Sequence, residues 1–468
     1  MLVRRTIKQR LIDWLFANPG RIIVLSFIFV ILIGTILLSL PFATYKDVDF
    51  SIFDALFTSV SATCVTGLIV TDTATSFTLF GKIVIIILIQ IGGLGLVTIT
   101  SFALSVINKK VSFKTRQIAL ETAGAFTFTE TNTLLKFIIG ITFIFEFLGA
   151  IILSIEYVPV FGLMEGIGKA TFQSISAYCN AGFDLMGDTT FGPYSSLTGL
   201  ATNHTVLFTT SLLIVFGGLG FVVWVDLFKF RQRKRLLLHT KVTLLFTVML
   251  LLIGMIMVLV FEWNNPNTIG QEAFSFSDKI VNAFMQSVTY RTAGFNSLDL
   301  ASLTDGSKAT GIVLMFIGAG SGSTGGGVKI TTIAIILYTV ISEIKGSSDT
   351  IIYKNIVPNN IVRRAVAILF VGITTVATFS IAVAMFEYEK IMQGAFSFVD
   401  IVFEMASAFA TVGLSSIGTG NLCVFSKLLI IVAMYLGRVG PIALLLSFVM
   451  KDKNKTSKVY PEGQIHIG

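Results

Sequence analysis

Four short islands interrupt an otherwise apolar chain: TCVTGL at 63–68, YCNAGF at 178–183, RTAGF at 291–295 and ATVGL at 410–414. Each contains small or neutral polar residues and a glycine followed by Leu or Phe. None holds a carboxylate. What such segments can offer a ligand is backbone carbonyl oxygen. A cation stripped of water needs oxygen dipoles in its place, and rings of backbone carbonyls supply them. Gly67, Gly182, Gly294 and Gly413 would relieve crowding near a shared axis and take up conformations costly for other residues. With Thr66, Asn180, Ala181, Thr292, Ala293, Thr411 and Val412 they form the candidate cation-coordinating set. One such glycine is more often a turn or a helix contact. Four at matching places carry the reading.

Two further stretches bear on the same chemistry. GAGSGSTGGGVK at 318–329 places Gly318, Gly320, Ser321, Gly322, Ser323, Thr324, Gly325, Gly326, Gly327 and Lys329 inside a long apolar run. Each glycine costs a helix interior roughly 1 kcal/mol relative to Ala, so a broken, mobile segment is expected. A phosphate-binding loop is excluded, because Val328 separates Gly327 from Lys329 and no strand leads in. Lys329 would position this loop or repel cations. Arg438 lies mid-way along the last apolar run, between Gly437 and Gly440. Burial in hydrocarbon costs an arginine at least a few kcal/mol, so it should face a cavity or a buried partner. On a pore axis its charge would raise the barrier to a cation. Arg291 should bond behind the third island and hold its shape. Asp54, Glu404 and Asn180 are candidates for similar bracing, with Asp54 and Asp400 alternatively at the starts of short helices.

The elements that must position these residues follow from composition. Of 468 residues, 54% are hydrophobic and only 13% charged, about half the charged share of a soluble domain. Windows such as Ile22–Leu40, Ile83–Ile107 and Lys241–Val260 are long enough to cross about 30 Å of hydrocarbon as helices. The fold class expected is an all-α polytopic membrane protein. The first run lacks a cleavage signal and reads as a retained helix. Cys64, Cys179 and Cys423 suggest no disulfide framework, and His204, His239 and His466 are too scattered to form a metal site. The intramembrane segments offer no acid–base or metal constellation, so no enzyme is expected.

The net charge of +8 gathers at 4–10, 109–116, 229–235, 363–364 and 451–457. The positive-inside rule puts these clusters, and both termini, in the cytoplasm. There they can meet lipid headgroups. Without a basic arm or soluble domain, no nucleic-acid partner is expected. Asp47, Asp49, Glu156, Glu165 and Glu262 fall on the outer side, as solvated loops or as a mild attraction for cations.

Between basic clusters the chain repeats one pattern: apolar helix, half-length segment, glycine island, second long helix. The first helices are Ile22–Leu40, 133–156, 241–262 and 365–387, and the second helices Phe80–Ile107, 205–228, 309–341 and 426–450. LIQIGGLGLV (88–97) echoes LIVFGGLGFV (213–222). The half-length segments read as re-entrant pore helices. Four repeated helix–pore-helix–loop–helix units around one central pore are expected, spanning 1–120, 121–239, 240–360 and 361–450, followed by a cytoplasmic tail at 451–468. An alternating-access cation transporter is the alternative.

The pieces VTGL, CNAGF, TAGF and TVGL, with the glycine-rich segment after Leu314 and GRVG at 437–440, resemble the Trk/Ktr/HKT superfamily of potassium transporters. The similarity is greatest to the KtrB-type membrane subunits of bacterial Ktr systems. The lack of the extra N-terminal helix pair of Trk-type subunits favours Ktr. The resemblance implies potassium as the transported ion, with sodium as an activating or coupling ion. It implies a gate at 318–329, a permeation barrier at Arg438, and a homodimer in the bacterial plasma membrane. It also implies a cytoplasmic KtrA-like regulatory ring that binds ATP or ADP, with the tail at the subunit interface. Some plant relatives carry serine at the first filter glycine and favour sodium; Gly67 matches the potassium-selective pattern.

Overall fold

The computed structural model describes residues 19–95 and 131–440. The basic clusters at 4–10, 109–116 and 451–457, the helix portion 96–107, the last span beyond Gly440, His466 and the tail lie outside the described residues.

Among the described residues, four helices are long and apolar enough to cross a membrane: α1 (Pro19–Leu38), α5 (Thr131–Phe161), α9 (Leu238–Glu262) and α13 (Asn359–Phe386). At 1.5 Å per residue, even a 20-residue helix reaches about 30 Å. Their outer faces stay apolar: Phe29, Ile36, Phe147 and Phe370 are more than 60% exposed, as lipid contact requires.

Each is followed by a shorter helix buried in the molecule: α2 (Ile52–Cys64), α6 (Leu163–Tyr178), α10 (Phe276–Thr289) and α15 (Phe398–Ala410). Three begin with a reciprocal capping box, Ser51 with Asp54, Ser275 with Asp278 and Ser397 with Asp400. Asp54 and Asp400 are therefore caps. Hydroxyls lock three of the short helices to their long partners. Ser59 donates to Ile31 O (2.7 Å), Ser174 to Glu146 O (2.6 Å) and Ser287 to Leu251 O (2.7 Å). Gly34, Gly149 and Gly254 leave room for those three serines.

The second helices depart from expectation. Continuous spans are expected in repeats one, two and four, and a break at 318–329 in repeat three. Instead α4 (Leu79–Leu94), α7 (His204–Gly218) and α16 (Val424–Val439) stop at or just before Gly95, Gly220 and Gly440, with φ of 79°, 97° and 89°. After α7, α8 (Phe221–Arg233) leaves at 90°. α11 (Asp305–Phe316) gives way to a loop before α12 (Ile330–Ile344). The cause is close approach. A Cβ on Gly92, Gly217 or Gly437 would overlap the carbonyl of Thr63, Tyr178 or Phe409 at the end of a short helix. Each helix then ends at or just before a glycine in a left-handed conformation, and at Gly220 the chain is seen to turn. α3 (Thr73–Ser76) and α14 (Tyr388–Met392) are single turns.

One hairpin among the described residues, β1 (Thr350–Ile352) paired antiparallel with β2 (Asn355–Val357), joins α12 to α13. Ile352 and Val357 bury against Val242, Phe246, Ile330 and Ala334, which holds the hairpin to α9 and α12.

Candidate ion pathway

The four glycine islands meet. Gly67, Gly182, Gly294 and Gly413 have φ of 89°, 72°, 84° and 95°. A Cβ on Gly67 would fall within 2.8 Å of Ala181 O, one on Gly182 of Ala293 O, one on Gly294 of Val412 O, and one on Gly413 of Thr66 O. The order closes on itself. Four glycines alternate with four carbonyls in one ring, and a side chain at any of them would strike the next segment. Two residues earlier, Val65, Asn180, Thr292 and Thr411 are also left-handed, at φ of 57°, 58°, 70° and 53°. In the first and fourth islands the segment is tied back to its helix. Ser61 and Ser407 each accept the N–H of Gly67 or Gly413 at 3.1 Å, while their own carbonyls accept Thr66 N and Val412 N. Buried Thr66 and Thr411 hydroxyls have no protein partner beside this ring.

On one side the ring floors a vestibule of about 430 Å³, lined also by Asp72, Asp184, Asp299, Tyr194 and Asn296. Sequence reading missed these acids and named others. Glu262 does not line it. Its buried carboxylate accepts Thr304 N (2.9 Å), Thr304 Oγ1 (2.7 Å), Thr268 Oγ1 (2.7 Å) and Asn265 Nδ2 (2.6 Å), fixing the loops after α9. Asp72 accepts the N–H groups of Ala74, Thr75 and Tyr194, binding the first unit to the second. In its loop, Asp184 has its carboxyl pushed up to about 6 by burial.

On the other side lies the segment 317–329. It is anchored at its roots, where Gly318 N donates to Val328 O (2.8 Å) and Gly320 N to Gly218 O (2.9 Å). Its tip presses on the ring's underside. A Cβ on Gly325 would overlap Thr292 Oγ1, and one on Gly326 would overlap Thr411 Oγ1. Thr324 Oγ1 lies 2.9 Å from Asn180 Oδ1 and 3.2 Å from Tyr178 O. Asn180 Nδ2 reaches Thr292 Oγ1 at 3.4 Å. Ser321 Oγ pairs with Thr331 Oγ1 at 2.6 Å. Lys329 Nζ donates to the Gly325 and Gly326 carbonyls, which makes it a positioning group. Gly322 O accepts Phe221 N at 2.9 Å, and Gly327 takes φ 69° beside Ala410. Ser323 Oγ is buried without a protein partner.

Arg438 crosses between units. Its Nη1 donates to Thr324 O and its Nη2 to Gly92 O, with Gly93 O at 3.5 Å. It stands where the other second helices carry Gly93, Gly218 and Ala319. Arg291 corrects an expectation. It bonds to the root of the loop, Gly318 O at 3.4 Å, and not to the back of its own island. Glu404 accepts Thr419 Oγ1 at 2.5 Å, in the loop that follows the fourth island. Another carboxylate escaped notice: buried Glu146 on α5 accepts Gln90 Nε2 (3.0 Å) and lies 3.8 Å from Cys179 Sγ of the second island. Its signal was an acid in the middle of an apolar helix. His204 contacts Asp278 at 2.7 Å, and among the described residues no cluster of ligating side chains could hold a metal.

The TrkH family, described as "Cation transport protein", matches residues 5–458. This chain belongs to the TrkH family of cation transport proteins. A Ktr system potassium uptake protein B of Bacillus subtilis is 38% identical over 461 residues, covering 98% of this chain and 99% of the relative. A potassium/sodium uptake protein, NtpJ, of Enterococcus hirae is 34% identical over the full length of both. The crystal structure of the potassium transporter TrkH from Vibrio parahaemolyticus superposes with a TM-score of 0.67. It covers 92% of this chain and 84% of that one at 18% identity, a likeness of fold. The TrkH-family chain is thus a multi-pass membrane transport protein and not an enzyme.

Proposed function

We propose that this TrkH-family chain is the membrane subunit of a potassium uptake system. The carrying observation is the closed ring of left-handed glycines and intervening carbonyls at the floor of the vestibule. Potassium enters from the vestibule, taken as the outer face, and exchanges water for the carbonyls of Thr66, Ala181, Ala293 and Val412. The ring is uncharged, so binding stays weak enough to release the ion inward. The segment 318–329 is the gate: it closes the inner mouth through the Thr324–Asn180 contact and the Lys329 carbonyl clasp. Arg438 holds the gate shut and places positive charge on the exit route. A membrane potential drives entry with about 2.3 kcal/mol per charge per 100 mV.

Full-length homology to Ktr-system proteins supports the coarser reading of a subunit that works with a regulatory partner. The finer reading is a homodimer on a cytoplasmic ring that binds ATP or ADP, with both termini and the boundaries 120, 239, 360 and 450 as expected from sequence. Sodium is an activator or coupling ion on the same terms.

Purified protein in liposomes, loaded without potassium and given an inward gradient, tests the function. Valinomycin-independent uptake of potassium in preference to sodium is expected. Equal flux of both ions, or none from well-folded protein, overturns it.

A further inference from the structure

Arg291 is only 6% exposed, yet its guanidinium has one protein contact, Gly318 O at 3.4 Å. Its Nε and Nη1 are buried with no partner in the protein. Among the described residues no carboxylate pairs with it. Arg291 lines a narrow crevice where α7, α9 and α10 meet the root of the gate segment. Ile214, Gly218, Thr247, Leu251 and Ala319 complete the wall. Thr247 is 7% exposed, and its hydroxyl is also without a partner.

The same face of α9 continues the pattern. Thr240 and Thr243 are fully buried, and their hydroxyls are unpartnered too. Residues three and four apart on a helix are neighbours on its surface, so the three threonines form a column. A helical threonine commonly returns its hydroxyl to the carbonyl four residues back, as Thr310, Thr339 and Thr375 do in this chain. Thr240, Thr243 and Thr247 do not. The column runs from the crevice to the Leu238 end of α9, which Arg231, Arg233 and Lys234 precede in the chain.

Size and charge select the occupant. The crevice offers about 10 Å³, room for a single water-sized particle. One water can satisfy donors but leaves a buried cation uncompensated, at a cost of several kcal/mol. A small anion satisfies the donors and neutralises the charge. Sulfate or gluconate is too large.

We propose that this crevice binds one small monovalent anion of chloride size, held by Arg291 Nε and Nη1 and the Thr247 hydroxyl. The anion arrives along Thr240 and Thr243 from the basic end of α8. Bound there, it cancels the Arg291 charge beside the root of the gate, so Lys329 and Arg438, which bond only to carbonyls, remain the uncompensated cations beneath the ring. This site stands whether or not the glycine ring selects potassium.

The test uses the full chain purified in detergent. Thermal unfolding is followed in potassium chloride, potassium bromide and potassium gluconate at equal ionic strength, and crystals grown in bromide are read for anomalous scattering. A higher Tm in chloride and bromide than in gluconate is expected, with a bromide peak between Arg291 and Thr247. Arg291→Gln should abolish the halide-dependent shift and Thr247→Val should reduce it; the second variant keeps the test available if the first misfolds. Equal Tm in all three salts with no bromide peak means water alone occupies the crevice and overturns the proposal. So does a halide shift that survives in both variants.

Discussion

Gly67 carries two burdens that no other residue can meet together. Its φ of 89° is left-handed, and a Cβ would fall on the neighbouring unit's Ala181 carbonyl. Gly67→Ser would push one of four carbonyls out of the ring. Strain of about 1–3 kcal/mol at such a site corresponds to roughly 5- to 150-fold in binding preference. The potassium-to-sodium flux ratio in liposomes is expected to fall by about that factor; an unchanged ratio would remove Gly67 from the filter. At the vestibule, Asp184 is held up at about 6 by burial. A raised carboxylate is neutral below that pH and charged above it. Apparent affinity for external potassium should therefore weaken as external pH falls through about 6. Asp184→Asn should flatten that dependence, as measured by uptake against concentration at pH 5 and pH 8.

At the scale of elements, the segment 318–329, proposed above as the gate, is held by contacts that are separable. Thr324 bonds through its side chain to the second island and through its carbonyl to Arg438. Thr324→Val removes the first and keeps the second. A lost hydrogen bond of about 1 kcal/mol should raise the open population, and hence flux, about fivefold. Deleting 323–326 removes the tip that sits under Thr292 and Thr411. It should raise flux further in protein that still purifies as wild type. No gain in either variant would show that the segment does not obstruct the pathway. The short helices were legible because a half-length apolar segment precedes each island, with Asp54 and Asp400 near two of the starts. The breaks in α4, α7 and α16 were not. GGLG and GRVG look like helix-packing glycines until the crossing carbonyls of Thr63, Tyr178 and Phe409 are placed against them.

At the scale of the molecule, four long helices face lipid and four shorter ones converge on the ring, so the pathway is built between units and not within any one. Orientation then decides direction of uptake. The hairpin between α12 and α13 exposes Tyr353 at its turn. In a Cys423→Ser background, where Cys64 and Cys179 are buried, Tyr353→Cys should react with an impermeant maleimide only in inside-out vesicles. Labelling of intact cells would reverse the proposed topology.

The sequence by itself determined that this chain lives in a membrane, that it is helical, and that four equivalent glycine islands recur. These are properties of composition and spacing, and they survive without coordinates. Tertiary structure alone decided how the islands meet. The ring's cyclic order, the vestibule acids Asp72, Asp184 and Asp299, the turn of Arg291 toward Gly318, and the reach of Arg438 to Gly92 all join residues far apart in the chain. Such contacts depend on which backbone carbonyls the fold brings up to distant residues, and a carbonyl leaves no mark in the sequence.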